Sequence, residues 1–190
     1  MTTSNLIDIS SGPKSWTELP PPISPLAFLE LEDKVQSCER IIGYNFKNKY
    51  LCFEALLTYN TTVMDEGVEF IVRKNDSLAV HGDTVLDVYL SSLWLKTGRS
   101  KEEYTTLRLE VAGIKNVAAI CLDCGLDECA FLTEQTPNLK SSPRARATLL
   151  KAVIGAVATD GDLNKTELGC LLFRLGFRHE LLERPALQKQ

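Results

Sequence analysis

Residues 75–98 read NDSLAVHGDTVLDVYLSSLWLKTG, and this stretch decides the fold. Asn75 is placed to cap a helix with its side-chain oxygen, and Asp76 follows where the helix dipole favours negative charge. Leu78, Val85, Leu86, Tyr89, Leu90, Leu93 and Trp94 cover most of the circumference. That spacing predicts a helix buried by several neighbours. Lys96 complements the C-terminal end of the dipole, and Gly98 predicts a left-handed stop. Gly82 is the odd residue: a mid-helix glycine costs about 1 kcal/mol relative to alanine, so the sequence predicts a close approach there. Asp76, Ala79 and Asp83 are spaced i, i+3, i+7 and share one helix face.

Working outward, residues 31–42 carry Leu31, Val35, Cys38, Ile41 and Ile42 at helical spacing, and residues 48–58 form a second apolar helix. Residues 60–73 read as a loop or short helix and residues 99–104 as a charged connection. Residues 104–117 and 117–124 read as helices, residues 133–142 as a polar loop, and residues 144–159 as a last long helix. Residues 167–173 form a short final helix and residues 180–190 a frayed tail. No strand-like alternation competes with the helices. The expected division is a proline-containing extension over 1–30, a helical domain over 31–180 and a tail over 181–190.

The 190 residues, 44% hydrophobic and 24% charged, suit one globular domain with a real core. No apolar run reaches the roughly 18 residues a membrane span needs, so no membrane partner is expected. The first residues, MTTSNLIDISSGPK, lack a hydrophobic signal core and an Arg-rich pattern. An intracellular address follows, cytoplasmic or nuclear, with a mitochondrial one left open. A net charge of −4 argues against strong autonomous binding to nucleic acid without a local basic patch.

The six cysteines include Cys121-x-x-Cys124 with Cys129 nearby, a spacing that invites zinc. No second pair or His motif follows, so small apolar residues on a helix ending at Gly125 are the better reading. Asp160-x-Asp162-x-Asn164 resembles a calcium loop, but Lys165 and Leu171 stand where that loop needs Gly and Glu.

Two blocks carry a resemblance to a known family. The signature of ribonuclease III reads roughly N-E-R-L-E-F-L-G-D-A-V-L, and residues 75–86 read N-D-S-L-A-V-H-G-D-T-V-L, matching at Asn75, Leu78, Gly82, Asp83, Val85 and Leu86. Residues 41–58, I-I-G-Y-N-F-K-N-K-Y-L-C-F-E-A-L-L-T, resemble that family's opening, L-G-Y-x-F-K-N-K-x-L-L-x-x-A-L-T. G-L-D-E-C-A-F-L at 125–132 resembles the family's G-L-D-E-Y-L-x-L, and T-L-L-K-A-V-I-G-A at 148–156 resembles its D-x-x-E-A-L-I-G-A. The resemblance implies an all-α fold, the ribonuclease III endonuclease domain; from the length of the chain, no double-stranded RNA-binding domain is expected after it.

The same resemblance implies a Mg²⁺-dependent site of four carboxylates, because metal ions must activate water and offset charge on the attacked phosphate. Carried over residue by residue, the first signature Glu falls on Asp76 and the second on Ala79. The signature Asp is kept as Asp83, while the later Asp falls on Thr148 and the last Glu on Lys151. Of the four positions that the resemblance implies as metal ligands, Ala79, Asp83, Thr148 and Lys151, Asp83 alone stays acidic. No metal or cofactor is therefore expected, with Mg²⁺ needed only by an active enzyme. Lys151 is expected to pair with Asp83, and Asp76 is a second candidate partner.

The expected function is a catalytically defective ribonuclease III-like protein, a pseudoenzyme serving as a dimeric scaffold or RNA-associated subunit in RNA processing or a ribonucleoprotein. One alternative is an active double-stranded RNA endoribonuclease with a non-standard acidic site, for which Glu54, Asp65, Glu66 and Glu69 are the spare carboxylates. Another is a regulator that forms mixed dimers with an active paralogue. The family's homodimer through the signature helix implies an interface at Val85, Tyr89 and Trp94. Arg144 and Arg146 are weak candidates for contact with double-stranded or structured RNA, and solvent-facing charge is the competing reading. His81 is expected to be a packing or interface residue. Partners beyond a second copy and RNA would be other proteins of a ribonucleoprotein.

Overall fold

A computed structural model describes residues 25–65, 68–133, 139 and 142–183 of the chain. In order these are α1 (Pro25–Ile42), α2 (Lys49–Leu56), β1 (Thr61–Asp65), β2 (Val68–Val72), α3 (Asp76–Trp94), α4 (Lys101–Ala112) and α5 (Ile114–Asp123). A 3-10 turn (Leu126–Cys129), α6 (Pro143–Asp160), α7 (Lys165–Arg174) and α8 (Glu180–Glu183) follow. The fold class is all-α, with one antiparallel hairpin as an appendage; its register sets Thr61 opposite Val72 and Asp65 opposite Val68.

Helix α6 is the axis of the domain. Leu149, Leu150, Ala152, Val153, Ile154, Ala156 and Val157 are all buried, so the helix is apolar over most of its circumference. Such a helix is stable only inside a shell of neighbours, and α2, α3 and α5 supply it. The closest of these crossings is with α3. A Cβ built on Gly82 would fall 1.8 Å from the Lys151 carbonyl oxygen, and one on Gly155 would fall 2.1 Å from that of Leu78. The two backbones therefore touch where the sequence predicted a close approach. Gly98 takes φ of +67°, the left-handed stop expected after the signature helix.

Asn75 does not cap α3. Its side chain makes no capping bond; it is buried, and its Nδ2 donates to the Ala55 carbonyl at 2.9 Å. Its backbone N–H donates to the Leu57 carbonyl at 3.0 Å. The residue ties the end of α2 to the start of α3, because an unpaired carbonyl at that buried helix end costs more than an uncapped first turn.

Other boundaries also move. Residues 60–73 form the hairpin rather than a loop or helix, consistent with the β-branched and aromatic content of T-T-V and V-E-F-I-V. Helix α1 begins at Pro25 instead of residue 31, with proline tolerated at the first helical position. Residues 99–104 are not a plain connection: Ser100 and Glu103 form a capping box that starts α4 at Lys101. Gly113 separates α4 from α5. The expected tail contains the short α8, and Asn164 caps α7, which starts at Lys165. The extension over residues 1–24, most of the loop at 133–142 and residues 184–190 lie outside the described residues.

Asp160 closes α6 and anchors the FKNK segment. Its carboxylate accepts from the Tyr44 hydroxyl at 2.8 Å and from the backbone N–H groups of Lys47 and Asn48 at 2.8 and 2.9 Å. Burial and this carboxylate together push the Tyr44 phenol well above its ordinary range.

Candidate functional site

The site lies where α3 crosses α6. Gly82 lets the backbones touch, and the side chain that follows it, Asp83, reaches α6. Asp83 meets Lys151 there: Nζ stands 2.6 Å from Oδ1, with the lysine side chain 14% exposed and the aspartate 42% exposed. The stem of Lys151 is packed and its ammonium is held at the mouth of the crossing, the usual compromise for a long cationic chain.

The other candidate positions supply little. Ala79 is buried and carries no donor atom. Thr148 turns its hydroxyl back to donate to the Arg144 carbonyl at 3.0 Å. Asp76 does not join Lys151; it pairs with Lys74 at 2.7 Å in an exposed contact. One turn beyond Asp83, Asp87 receives Arg108 bidentately, with Nε 2.9 Å from Oδ1 and Nη2 2.6 Å from Oδ2. Sequence reasoning missed that pair, whose partner comes from α4. Every aspartate of α3 is thus held by a cation, from the preceding loop, from α6 or from α4.

This donor set does not suit a divalent cation. Mg²⁺ demands near-octahedral oxygen ligation and dehydrates reluctantly. The crossing offers one carboxylate, already bound to an ammonium whose like charge opposes the ion. Among the described residues, no three His, Cys, Asp or Glu side chains come together in a group that could hold a metal. Of the spare carboxylates, Glu54 sits half-buried on α2, and burial raises its pKa. The side chains of Asp65, Glu66 and Glu69 lie outside the described residues.

Arg146 is buried rather than open to solvent. It is 9% exposed and donates through Nη1 to the Leu139 carbonyl at 2.8 Å, so its guanidinium holds the segment that enters α6. Arg144 is exposed. His81 is half-buried on α3. Cys121 and Cys129 are buried and Cys124 half-buried; burial pushes all three thiols up, that of Cys129 to about 11. Protonated thiols in apolar surroundings are packing residues.

Of the expected interface positions, Val85 is buried while Tyr89 and Trp94 are half-buried. Val85 is 6% exposed and belongs to the protomer's own core. Tyr89 lines a cleft beside Leu86, Leu90 and Leu93 that α7 and the segment after it close on the other side. Trp94 packs against Tyr104 with tilted rings whose centroids are 4.9 Å apart, and it donates to the Ser100 carbonyl. The outward face of α3 is instead Ser77, Val80, Thr84, Val88, Ser91 and Leu95, six positions without a charge. Val80, Val88 and Leu95 are 70%, 58% and 72% exposed.

Comparison with known proteins agrees with this architecture. Residues 76–162 match the family model described as the ribonuclease III domain. The chain is 28% identical over 137 residues to ribonuclease 3 of Campylobacter fetus, covering 69% of this chain and 57% of that one. It is 28% identical over 137 residues to ribonuclease 3 of Carboxydothermus hydrogenoformans, covering 68% and 56%. The chain therefore spans a little over half the length of these relatives. A crystal structure of the nuclease domain of ribonuclease III from Campylobacter jejuni shares the fold, with a TM-score of 0.60 and 23% identity over 74% of this chain and 92% of that one. A second structure of that domain, described for flexibility in its region involved in dimer formation, gives a TM-score of 0.61 at 22% identity, covering 74% and 95%. Sequence and fold point the same way: residues 76–162 are similar to the ribonuclease III domain, and the chain shares the fold of that nuclease domain.

Proposed function

We propose that this protein is a catalytically defective member of the ribonuclease III family, a dimeric scaffold or RNA-associated subunit in RNA processing or a ribonucleoprotein. One observation carries the reading: Lys151 Nζ lies 2.6 Å from Asp83 Oδ1, at the crossing where a hydrolytic metal centre would need several carboxylates. Ala79 and Thr148 offer no anionic ligand beside it. The protein works without Mg²⁺ on this reading. Its second copy docks on the uncharged outer face of α3, around Val80, Val88 and Leu95. A solvent-facing helix ordinarily carries charge there, and a relative's nuclease domain has a region involved in dimer formation.

The test is cleavage of a long double-stranded RNA by the purified chain with Mg²⁺ and with Mn²⁺, beside Asp83→Asn. No cleavage is expected from either protein. Cleavage by the wild type that Asp83→Asn abolishes overturns the reading.

A further inference from the structure

A cavity of about 320 Å³ lies where the end of α1 meets α7, lined by Ile42, Tyr44, Glu167, Cys170, Leu171 and Arg174 among others. Its α7 members are spaced i, i+3, i+4 and i+7, so they form one row. A carboxylate and a guanidinium stand about 10 Å apart along that row, with Cys170 and Leu171 between them. The guanidinium of Arg174 is fixed: Nε donates to the Ile41 carbonyl and Nη2 to that of Arg40, each at 2.9 Å. Both of these bonds go to carbonyls, so they leave its positive charge without an anionic partner. At the other end of the row, Oε2 of Glu167 is buried with no hydrogen-bond partner among the described residues. Between them Cys170 is the one exposed cysteine of the six.

The extension that precedes α1 carries a complement to this row. Residues 14–18, K-S-W-T-E, set a cation, an aromatic ring and an anion at alternate positions. Trp16 is also the sole aromatic residue outside the described residues. Pro20, Pro21 and Pro22 follow and favour a polyproline II path, which rises about 3.1 Å per residue. Ser24-Pro25, at the start of α1, suits a reversal of the chain. Laid back along α1, that path covers about 22 Å from Pro25 to Glu18, and the helix covers about 22 Å from Pro25 to Arg40. The path covers about 28 Å to Trp16, against about 26 Å of helix to Ile42. From Glu18 to Lys14 is about 12 Å more, close to the length of the α7 row. The order also agrees. Arg174 sits at Arg40 and Ile41, whereas a Cβ built on Gly161 would lie 2.6 Å from Glu167 Oε2 and 3.5 Å from the Tyr44 hydroxyl, which places Glu167 beyond the helix end.

We propose that the cavity between α1 and α7 is the docking site of the chain's own segment 14–18, with Trp16 on Cys170 and Leu171, Glu18 at Arg174 and Lys14 at Glu167. The ring supplies the buried area, and the Arg174 guanidinium at the rim suits its π face. The two charges set the register, because a reversed segment would bring like charges together at both ends. Residues 19–24 then act as a strut along α1, and the extension becomes part of the domain's surface. The site is separate from the α3–α6 crossing and holds whether or not that crossing is catalytic.

The experiment follows Cys170 and Trp16 in the full chain. Trp16→Ala should speed alkylation of Cys170 by iodoacetamide about 3- to 10-fold, because the ring no longer shields the thiol. The chain has two tryptophans, so Trp94→Phe leaves Trp16 as the one fluorescent indole. Its quenching by acrylamide should be about 3-fold weaker in the native protein than in denaturing urea, as for a ring covered on one face. Lys14→Glu combined with Glu18→Lys keeps composition and net charge but reverses the order of charge. It should expose both reporters, and it alters no residue of the helices. Should Trp94→Phe fold poorly by circular dichroism, the Cys170 rates need no change at Trp94 and decide alone. Shielding is expected to persist on dilution. Cys170 rates that differ by less than about 2-fold with and without Trp16, or a charge-reversed chain shielded like the wild type, overturn the site. Shielding lost on dilution to monomers would assign the segment to a second copy and overturn docking within one chain.

Discussion

Gly82 and Gly155 face each other where α3 crosses α6, and each leaves open the space that the other helix's backbone fills. The functional face depends on this contact, because Asp83 follows Gly82 directly and Lys151 lends its own carbonyl to the crossing. Gly82→Ala should therefore destabilise the domain, by about 2–3 kcal/mol, even though alanine is the better helix former by about 1 kcal/mol. The added methyl would meet backbone, 1.8 Å from the Lys151 oxygen, and backbone has no rotamer with which to yield. Urea denaturation checks this, and a variant as stable as the wild type would show that the helices part easily.

Asn75 offers a sharper discrimination between two roles. As a cap, it would be replaceable by aspartate, which caps as well. As a donor to the buried Ala55 carbonyl it is not, since a carboxylate has no hydrogen to give. Asn75→Asp and Asn75→Ala should both lose about 1–3 kcal/mol, the cost of leaving that carbonyl unpaired. Rescue by aspartate would return the residue to the cap.

These two residues show what the sequence makes legible. Gly82 was readable because a glycine inside an apolar helical pattern has few explanations besides close approach. Asn75 was misread because capping and tertiary donation use the same side chain, and only the position of Ala55 decides between them. Lys151 could be matched with Asp83 once Ala152, Ile154, Gly155 and Ala156 fixed the register of α6. Arg146, two residues after Arg144, looked equally available, yet a helix turns about 200° over two residues and buries one of them. Val85 failed similarly: the apolar load of α3 was visible, but not which part of it the protomer would consume. The hairpin was missed because each strand spans five residues, too few for alternation to stand out.

Glu54 gives a pH signature. Burial raises its carboxyl above the ordinary value, so the folded protein binds its proton more tightly than the unfolded chain. The stabilising contribution of that proton is complete below the unfolded carboxyl range and is lost as the pH rises through the raised value. Glu54→Gln should therefore stabilise the protein at pH 7 and flatten this part of its stability profile on mild acidification. Thermal melts of both proteins across pH 5–7 test it; a variant less stable at every pH would mean that the carboxylate has a favourable partner.

The outer face of α3 makes a separate prediction about assembly. Val88 lies near the midpoint between Val80 and Leu95, so a two-fold pairing of α3 with its copy would put Val88 at the axis and Val80 against the partner's Leu95. Val88→Glu places two carboxylates together there and should shift the protein to monomers in sedimentation velocity, with its melting temperature at high dilution nearly unchanged. Val85→Ala should instead lower stability by about 1–3 kcal/mol, because Val85 is spent within the protomer core. A wild type that is monomeric at high concentration, or a dimer indifferent to Val88→Glu, would rule out this face.

The crossing itself should be convertible. Ala79→Glu, Thr148→Asp and Lys151→Glu introduced together leave Asp83 facing three new carboxylates and no ammonium. Without metal this variant should be less stable than the wild type, since four like charges would share one small region. Mn²⁺ should then restore stability, by about 2–3 kcal/mol at 100 times the dissociation constant. The wild type, with Lys151 on Asp83, should show no such gain. The readout is the melting temperature against Mn²⁺ concentration, and it asks nothing of activity. A wild type stabilised by Mn²⁺ as strongly as the triple variant would mean that the lysine yields its place to the ion, and the case against a metal centre would fall with it.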